Sequence, residues 1–358
     1  MSLSMEQYLK PVVPFTPPGL ISPQALGTIM GLAGTLPPCA SSGFEVRLGE
    51  EEPVADFLVN LNGADGTRAA FAGRHPEIAP PASFLESPVW QRVRDFCRSW
   101  DEPGSLLHKQ VRDMWLEFDL AQLGAGVPIP GVFFGPEWES GQLLDTVDRS
   151  VSLLRGPGYT GLPPAIPRCA ALLPGRPRIE QVGMMFSRQS DDLRLCIRDV
   201  PPRELSGYLR KAGWEGRGEE LDAIVEQLLP FVDDITLDID AGDGVRPKLG
   251  LECILDRDPS RARWGRWLDH LVSQKLCTPT KRDGLMAWIG VSTLREQPEL
   301  WPENLVRVSP RMPGTVSVCA RKVNHLKLVH QPGQPLQMKA YLAVRYLWLR
   351  APSSASAT

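Results

Sequence analysis

The 358-residue chain has no dominant charge of either sign: 39 Lys and Arg stand against 42 Asp and Glu, a net charge of −3. No global basic field therefore points to nucleic acid or an anionic membrane surface. No stretch approaches 18 consecutive apolar residues, so a membrane span is not expected. The opening MSLSMEQYLKPVVPFTPPG has no basic segment followed by an apolar one, as a secretory leader would. The seven cysteines are scattered without C-x-x-C or Cys/His metal spacing, and several sit in apolar periodic segments as small hydrophobes. A reduced, cytoplasmic protein is expected. The five histidines show no ligand spacing, and there is no phosphate-binding Gly-rich loop, G-x-S-x-G elbow or dinucleotide fingerprint. Asp238-Ile239-Asp240 puts two carboxylates on one side of a strand, but no third ligand accompanies them, and no metal is expected.

What is present is repetition. HLKLVHQPGQPLQMKAYLAV, residues 325–344, alternates apolar and polar residues on both sides of a Pro-Gly turn, as a hairpin with one apolar face does. The same architecture recurs at 43–62, 114–135, 181–200 (turning at Gln189-Ser190-Asp191-Asp192) and 233–255 (turning at Ala241-Gly242-Asp243-Gly244), the last hairpin running over 315–348. Helices connect them. Ser87-Pro88 starts one with the stripe Val89, Val93, Phe96, Cys97 and Trp100. Leu144, Val147, Val151 and Leu154 mark another. Leu221, Ile224, Val225, Leu228 and Leu229, and Trp264, Trp267, Leu268, Leu271 and Val272, follow the i, i+3, i+4, i+7, i+8 pattern in full. Thr278-Pro279 begins a further helix carrying Leu285, Trp288 and Ile289.

Hairpins alternating with helix pairs give ten antiparallel strands, each with one face to cover. An open α+β sheet with helices on one side fits the alternation; so does a closed barrel, which removes the edges and turns the polar faces into a lumen wide enough for a ligand. Strand parity assigns that polar face. It holds Trp115, Glu117 and Asp119; Arg194, Cys196 and Arg198; Asp238 and Asp240; Lys248, Gly250 and Glu252; and His325, Lys327, Lys339, Tyr341 and Arg345. Lys327 and Lys339 fall on adjacent strands, whereas Arg345 lies about 20 Å along from Lys339 at roughly 3.3 Å per residue, towards the other end.

Trp115-Leu116-Glu117-Phe118-Asp119 leading to Val132-Phe133-Phe134-Gly135-Pro136, with Lys339-Ala340-Tyr341 on a later strand, resembles the ABBA aromatic prenyltransferases, in particular their dimethylallyltryptophan-synthase branch. The resemblance implies a PT barrel, five αββα units closing ten antiparallel strands inside a ring of helices. It implies one domain over 1–350; the small, polar composition of APSSASAT at 351–358 is that of a disordered tail. The resemblance implies an enzyme of secondary metabolism that moves an allylic prenyl group from its diphosphate to an aromatic or nitrogenous acceptor, a small molecule or a peptide side chain. The co-substrate is the allylic diphosphate, with no tightly bound cofactor and magnesium tolerated but not required; neither nucleic acid nor membrane is a partner. Glu117 takes the role of proton acceptor or acceptor anchor, the alternative being a structural partner of a basic residue. Lys248, Lys327, Lys339 and Arg194 form the diphosphate cradle, and Tyr341 and Trp115 shield the allylic cation by cation–π attraction. The chain departs from the pattern twice: Lys248-Leu249-Gly250 lacks the Tyr of a second Lys-x-Tyr, and Pro130-Gly131-Val132-Phe133 lacks an Arg common in the family. Those departures, with five acids facing six Lys and Arg across the assigned lining, also fit a PT-barrel protein that binds a peptide or small molecule without prenylating it.

Overall fold

The computed structural model describes residues 3–350 apart from 125, 138–140, 174–177, 189 and 258; Gln189 of the expected turn and the expected tail at 351–358 lie outside the described residues. Eleven strands form one sheet: β1 (Ser41–Arg47), β2 (Ala55–Leu61), β3 (Val111–Phe118), β4 (Gly131–Pro136), β5 (Arg178–Met185), β6 (Leu193–Arg198), β7 (Asp234–Ala241), β8 (Val245–Ile254), β9 (Gly290–Thr293), β10 (Thr315–His330) and β11 (Gln337–Arg350). Strands β1 to β8 run in sequence order, β8 pairs with β10, β10 with β11, and β11 returns to β1, all antiparallel. The ring of ten is closed, as the PT-barrel expectation requires.

Closure follows from the alternation. On β1, Phe44 and Val46 are fully buried outward while Glu45 points in; on β6, Leu195 and Ile197 pack outward and Arg194 and Cys196 point in. Helices cover the outward face, among them Pro88–Asp101, Leu205–Ala212 with Gly218–Leu228, and Arg261–Ser273 with Pro279–Trp288. Their stripes supply Trp90, Phe96, Trp100, Trp264, Trp267 and Trp288 to one continuous core against the barrel. Each such side chain contributes roughly 1.5–3 kcal/mol on burial. The helices start where the sequence signals: the Thr278 hydroxyl accepts from the Lys281 amide ahead of Pro279, and the Ser260 hydroxyl from the Arg263 amide.

The last hairpin outgrows the barrel. β1 meets β11 only from Lys339 to Arg345, and β8 meets β10 only from Leu326 to His330. Beyond them Thr315–Arg321 and Tyr346–Arg350 continue as a ribbon, widened by β9, which pairs with Val318–Arg321. The sequence reading has no β9, because four residues, GVST, are too short for a period to register. A bulge between Val323 and His325 keeps His325 opposite Tyr341.

Candidate functional site: the barrel lumen

The inward faces leave a cavity of about 390 Å³ at one end of the lumen and a narrow one of about 30 Å³, the size of a water, towards the other. Glu117, Arg194, Lys327 and Tyr341 line both and mark the boundary. The wide cavity adds Trp115, Phe133, His325, Lys322 and Arg345; the narrow one adds Glu45, Arg188, Asp238, Asp240, Lys248 and Lys339. The four cations expected to form the cradle, Arg194, Lys248, Lys327 and Lys339, therefore do converge, beside Glu117 and Tyr341. Trp115 lies only in the wide cavity, and Arg345 also belongs to that end, away from Lys339.

The register explains how the narrow end is wired. Lys327 and Lys339 are direct cross-strand partners, a like-charge pairing that is unfavourable unless acids intervene. Each has one. The Lys327 ammonium contacts the Asp238 carboxylate and lies 3.8 Å from Glu252; Lys339 donates to Glu45 at 2.5 Å. Tyr341 donates to the other Glu45 oxygen, and Arg194 grips Asp240 through two bonds of 2.8 and 3.0 Å. Gly250 makes the Lys327–Asp238 contact possible. It sits opposite Asp238, and a Cβ there would fall 2.5 Å from Lys327 Cε and 3.0 Å from Asp238 Cβ. The position where the resemblance expects a Tyr is thus filled by the lysine stem. Lys248 is different: among the described residues no acid pairs with its side chain, and burial together with the Lys339 and Arg194 charges lowers its pKa.

Against the cost of burial, the Lys339 charge and the hydrogen bonds from Lys339 and Tyr341 hold Glu45 down to about 2. Glu117 goes the other way. Its cross-strand neighbours are Leu58 and Gly131, neither of which offers a side-chain donor, and no hydrogen bond or ion pair among the described residues engages its carboxylate. Burial and the nearby Glu45 charge push it up to about 7, only partly offset by Lys339, Arg194 and Lys327. Burial and Asp238 likewise raise Glu252 to about 8. Among the described residues no basic side chain is bonded to Glu117, as its alternative role of structural partner would need.

Aromatic surface meets the cations in mid-lumen. His325 stacks on Tyr341 with centroids 4.4 Å apart, and the Lys327 ammonium lies 5.9 Å from the Tyr341 ring centroid. Burial and the Lys327 charge push His325 down to about 3, so its imidazole is neutral. Asp238 and Asp240 serve Lys327 and Arg194. The Cys196, Asp238 and Glu252 ligand atoms lie within 4.8 Å of one another, and the cation they surround is the Lys327 ammonium. Sequence reasoning missed Glu45 and Arg188. Glu45 was findable, since it alternates with Phe44 and Val46. Arg188 lines the narrow cavity at the end of the barrel where Gly131 pairs with Met185, a cation near the position at which the family Arg is missing; it lies 3.6 Å from Asp119.

No protein-family model matches the chain, and no curated protein matches its sequence. Solved structures do. AnaPT from Neosartorya fischeri aligns over 95% of this chain and 94% of its own with a TM-score of 0.50 at 13% identity. The apo form of the prenyltransferase PriB aligns over 94% of both chains (TM-score 0.48, 15% identity), and 5-dimethylallyltryptophan synthase from Streptomyces coelicolor over 94% and 95% (TM-score 0.46, 13% identity). At these identities the likeness, carried by the AnaPT alignment, is one of fold: the chain has the PT barrel of the ABBA prenyltransferases.

Proposed function

We propose that the chain transfers an allylic prenyl group from its diphosphate to an aromatic or nitrogenous acceptor held in the lumen. The observation that carries the reading is Glu117, an unpaired buried carboxylate with a pKa of about 7, set between four converging cations and the Tyr341–His325 stack. A base poised near the working pH is what removal of the acceptor proton needs. PriB, of like fold, was crystallised with L-tryptophan and dimethylallyl thiolodiphosphate, which makes these the natural first ligands to try.

In this mechanism the allylic C–O bond breaks and the diphosphate leaves towards Lys248, Lys327, Lys339 and Arg194, whose charges stabilise it. Tyr341 and Trp115 face the allylic cation. The acceptor attacks it from the wide cavity, and the Glu117 carboxylate takes the proton released as the new bond forms. Lys248, with no acid partner, meets the diphosphate first; Lys339 and Arg194 exchange Glu45 and Asp240 for phosphate oxygens. No tightly bound cofactor enters the scheme.

A second reading keeps a specific observation of its own. Lys327, Lys339 and Arg194 are already paired, and the narrow cavity on which all three converge has room for about one water. A protein that only binds a ligand in the wide cavity is built the same way. Incubation with labelled dimethylallyl or geranyl diphosphate and a panel of aromatic amino acids decides between them. Acceptor-dependent diphosphate release with a prenylated product supports transfer; acceptor binding with no release under any donor supports the binder.

A further inference from the structure

Among the described residues, three of the eight exposed large apolar side chains, Val291, Leu347 and Leu349, lie on one face of the β9–β10–β11 ribbon. The register shows which face. Ala343 opposes Lys322, Arg345 opposes Ala320, Leu347 opposes Val318 and Leu349 opposes Val316, while Val291 sits beside Ala320. Direct partners share a face, so this row continues the lumen face of Tyr341 and His325 outwards past the rim of the barrel. The opposite face is already occupied: Arg321 bonds Ser292 and stacks on Phe15, Tyr346 packs on Tyr8 and Trp301, and Trp301 donates to Ser317.

Two cations stand between the lumen and the apolar row. Lys322 and Arg345 both line the wide cavity, and no acid among the described residues pairs with either side chain. Asp256, on the same rim, is held by Arg198 at 3.1 Å. The two positive charges therefore sit diagonally on adjacent strands of one wall of the mouth, neither bonded to an acid among the described residues, with the charge of the Arg198-bound Asp256 acting on Lys322. Alternate residues on a strand are roughly 6.7 Å apart, which puts Arg345 about 13 Å out from Tyr341 and Leu349 about 13 Å further.

An aromatic-lined lumen, then two cations, then an exposed apolar strip is the profile of a molecule with an apolar tail beyond its carboxylate. We propose that the acceptor is of the class of an N-acylated aromatic amino acid, its ring in the wide cavity, its carboxylate at Lys322 and Arg345, and its acyl chain along Val291, Leu347 and Leu349. The inference rests on the lumen being the acceptor site. A free amino acid would satisfy the two cations and leave the strip uncovered.

The test is equilibrium binding without any donor, which keeps it separate from prenyl transfer. N-acetyl-L-tryptophan and N-octanoyl-L-tryptophan are titrated into the full chain and followed calorimetrically. The octanoyl compound should bind about 30-fold or more tightly, since several methylenes leave water. Leu347→Ser with Leu349→Ser should cut that ratio to a few-fold, and Leu347→Glu with Leu349→Glu should do the same if the serine pair folds poorly. Lys322→Ala with Arg345→Ala should erase the preference for the acid over its carboxamide. Equal affinity for both acyl lengths, or a ratio unmoved by the leucine variants, overturns the proposal. So does a wild-type dimer that the leucine variants split, because the strip is then a self-interface. Acyl preference without prenylated product supports this inference and counts against the transfer reading alone.

Discussion

The two ends of the lumen handle charge in opposite ways. At the narrow end three positive groups are locked to acids, Lys327 to Asp238, Lys339 to Glu45 and Arg194 to Asp240, and Lys248 beside them is not. At the wide end, Lys322 and Arg345 face a cavity of about 390 Å³ with no acid partner. The difference teaches where specificity and catalysis reside. A paired network in a low dielectric is stiff and aims fixed dipoles at a reacting group. An unpaired rim in contact with water is adaptable and selects by charge. Glu117, buried and unpaired at the boundary, belongs to neither network, and a side chain expected to change protonation during turnover should be placed so.

The largest effect should come at that boundary. Glu117→Gln should keep donor binding while cutting turnover by about 10²–10⁴, the usual size of a general-base contribution. The same substitution should raise stability, and the sign can be worked out. The folded-state pKa of Glu117, about 7, lies above its ordinary value of 4.5, so the folded protein holds the proton more tightly and this carboxyl's contribution to stability is lost as pH rises through that window. Melting curves should therefore show a larger advantage of the Gln variant at pH 8 than at pH 5; no pH dependence would mean that Glu117 is ionised and paired after all.

Breaking the locked end comes next. Lys327→Met leaves Asp238 and Glu252 buried without their cation and should cost about 3–5 kcal/mol in denaturant unfolding. Adding Asp238→Leu should recover most of that loss. Gly250→Ala, which pushes a methyl into the Lys327 stem, should mimic the lysine variant more mildly, and a neutral result would show that the stem moves aside easily. On donor affinity, Lys339→Ala should weaken allylic diphosphate binding about 10- to 150-fold, the worth of one charge-assisted contact. Arg345→Ala should be the smallest, within a few-fold on the same titration, because its guanidinium belongs to the other end. Equal losses for the two would erase the distinction between the ends.

The barrel was legible in the sequence because the hairpins alternate along most of their length and the main connecting helices keep their stripes; Leu195 and Leu237 point out where parity puts them. The same parity found Glu117 and four of the five cations that line the narrow cavity, all but Arg188. It could not find their partners. That Lys327 reaches Asp238 depends on a glycine on the strand between them, and that Glu117 has no partner depends on Leu58 and Gly131 being its neighbours. Both are facts of register between strands distant in sequence. Closure itself was ambiguous too, since an open sheet alternates identically, and β9 is shorter than any period.

The most direct measurement is the pH dependence of kcat/KM for acceptor prenylation with dimethylallyl diphosphate in the wild type and in Glu117→Gln. The account predicts a wild-type rate that falls tenfold per unit below about pH 7, as the Glu117 base is protonated, and a slow, flat profile in the variant. Wild-type activity in the variant, or an acid limb near pH 7 that survives the substitution, would contradict it.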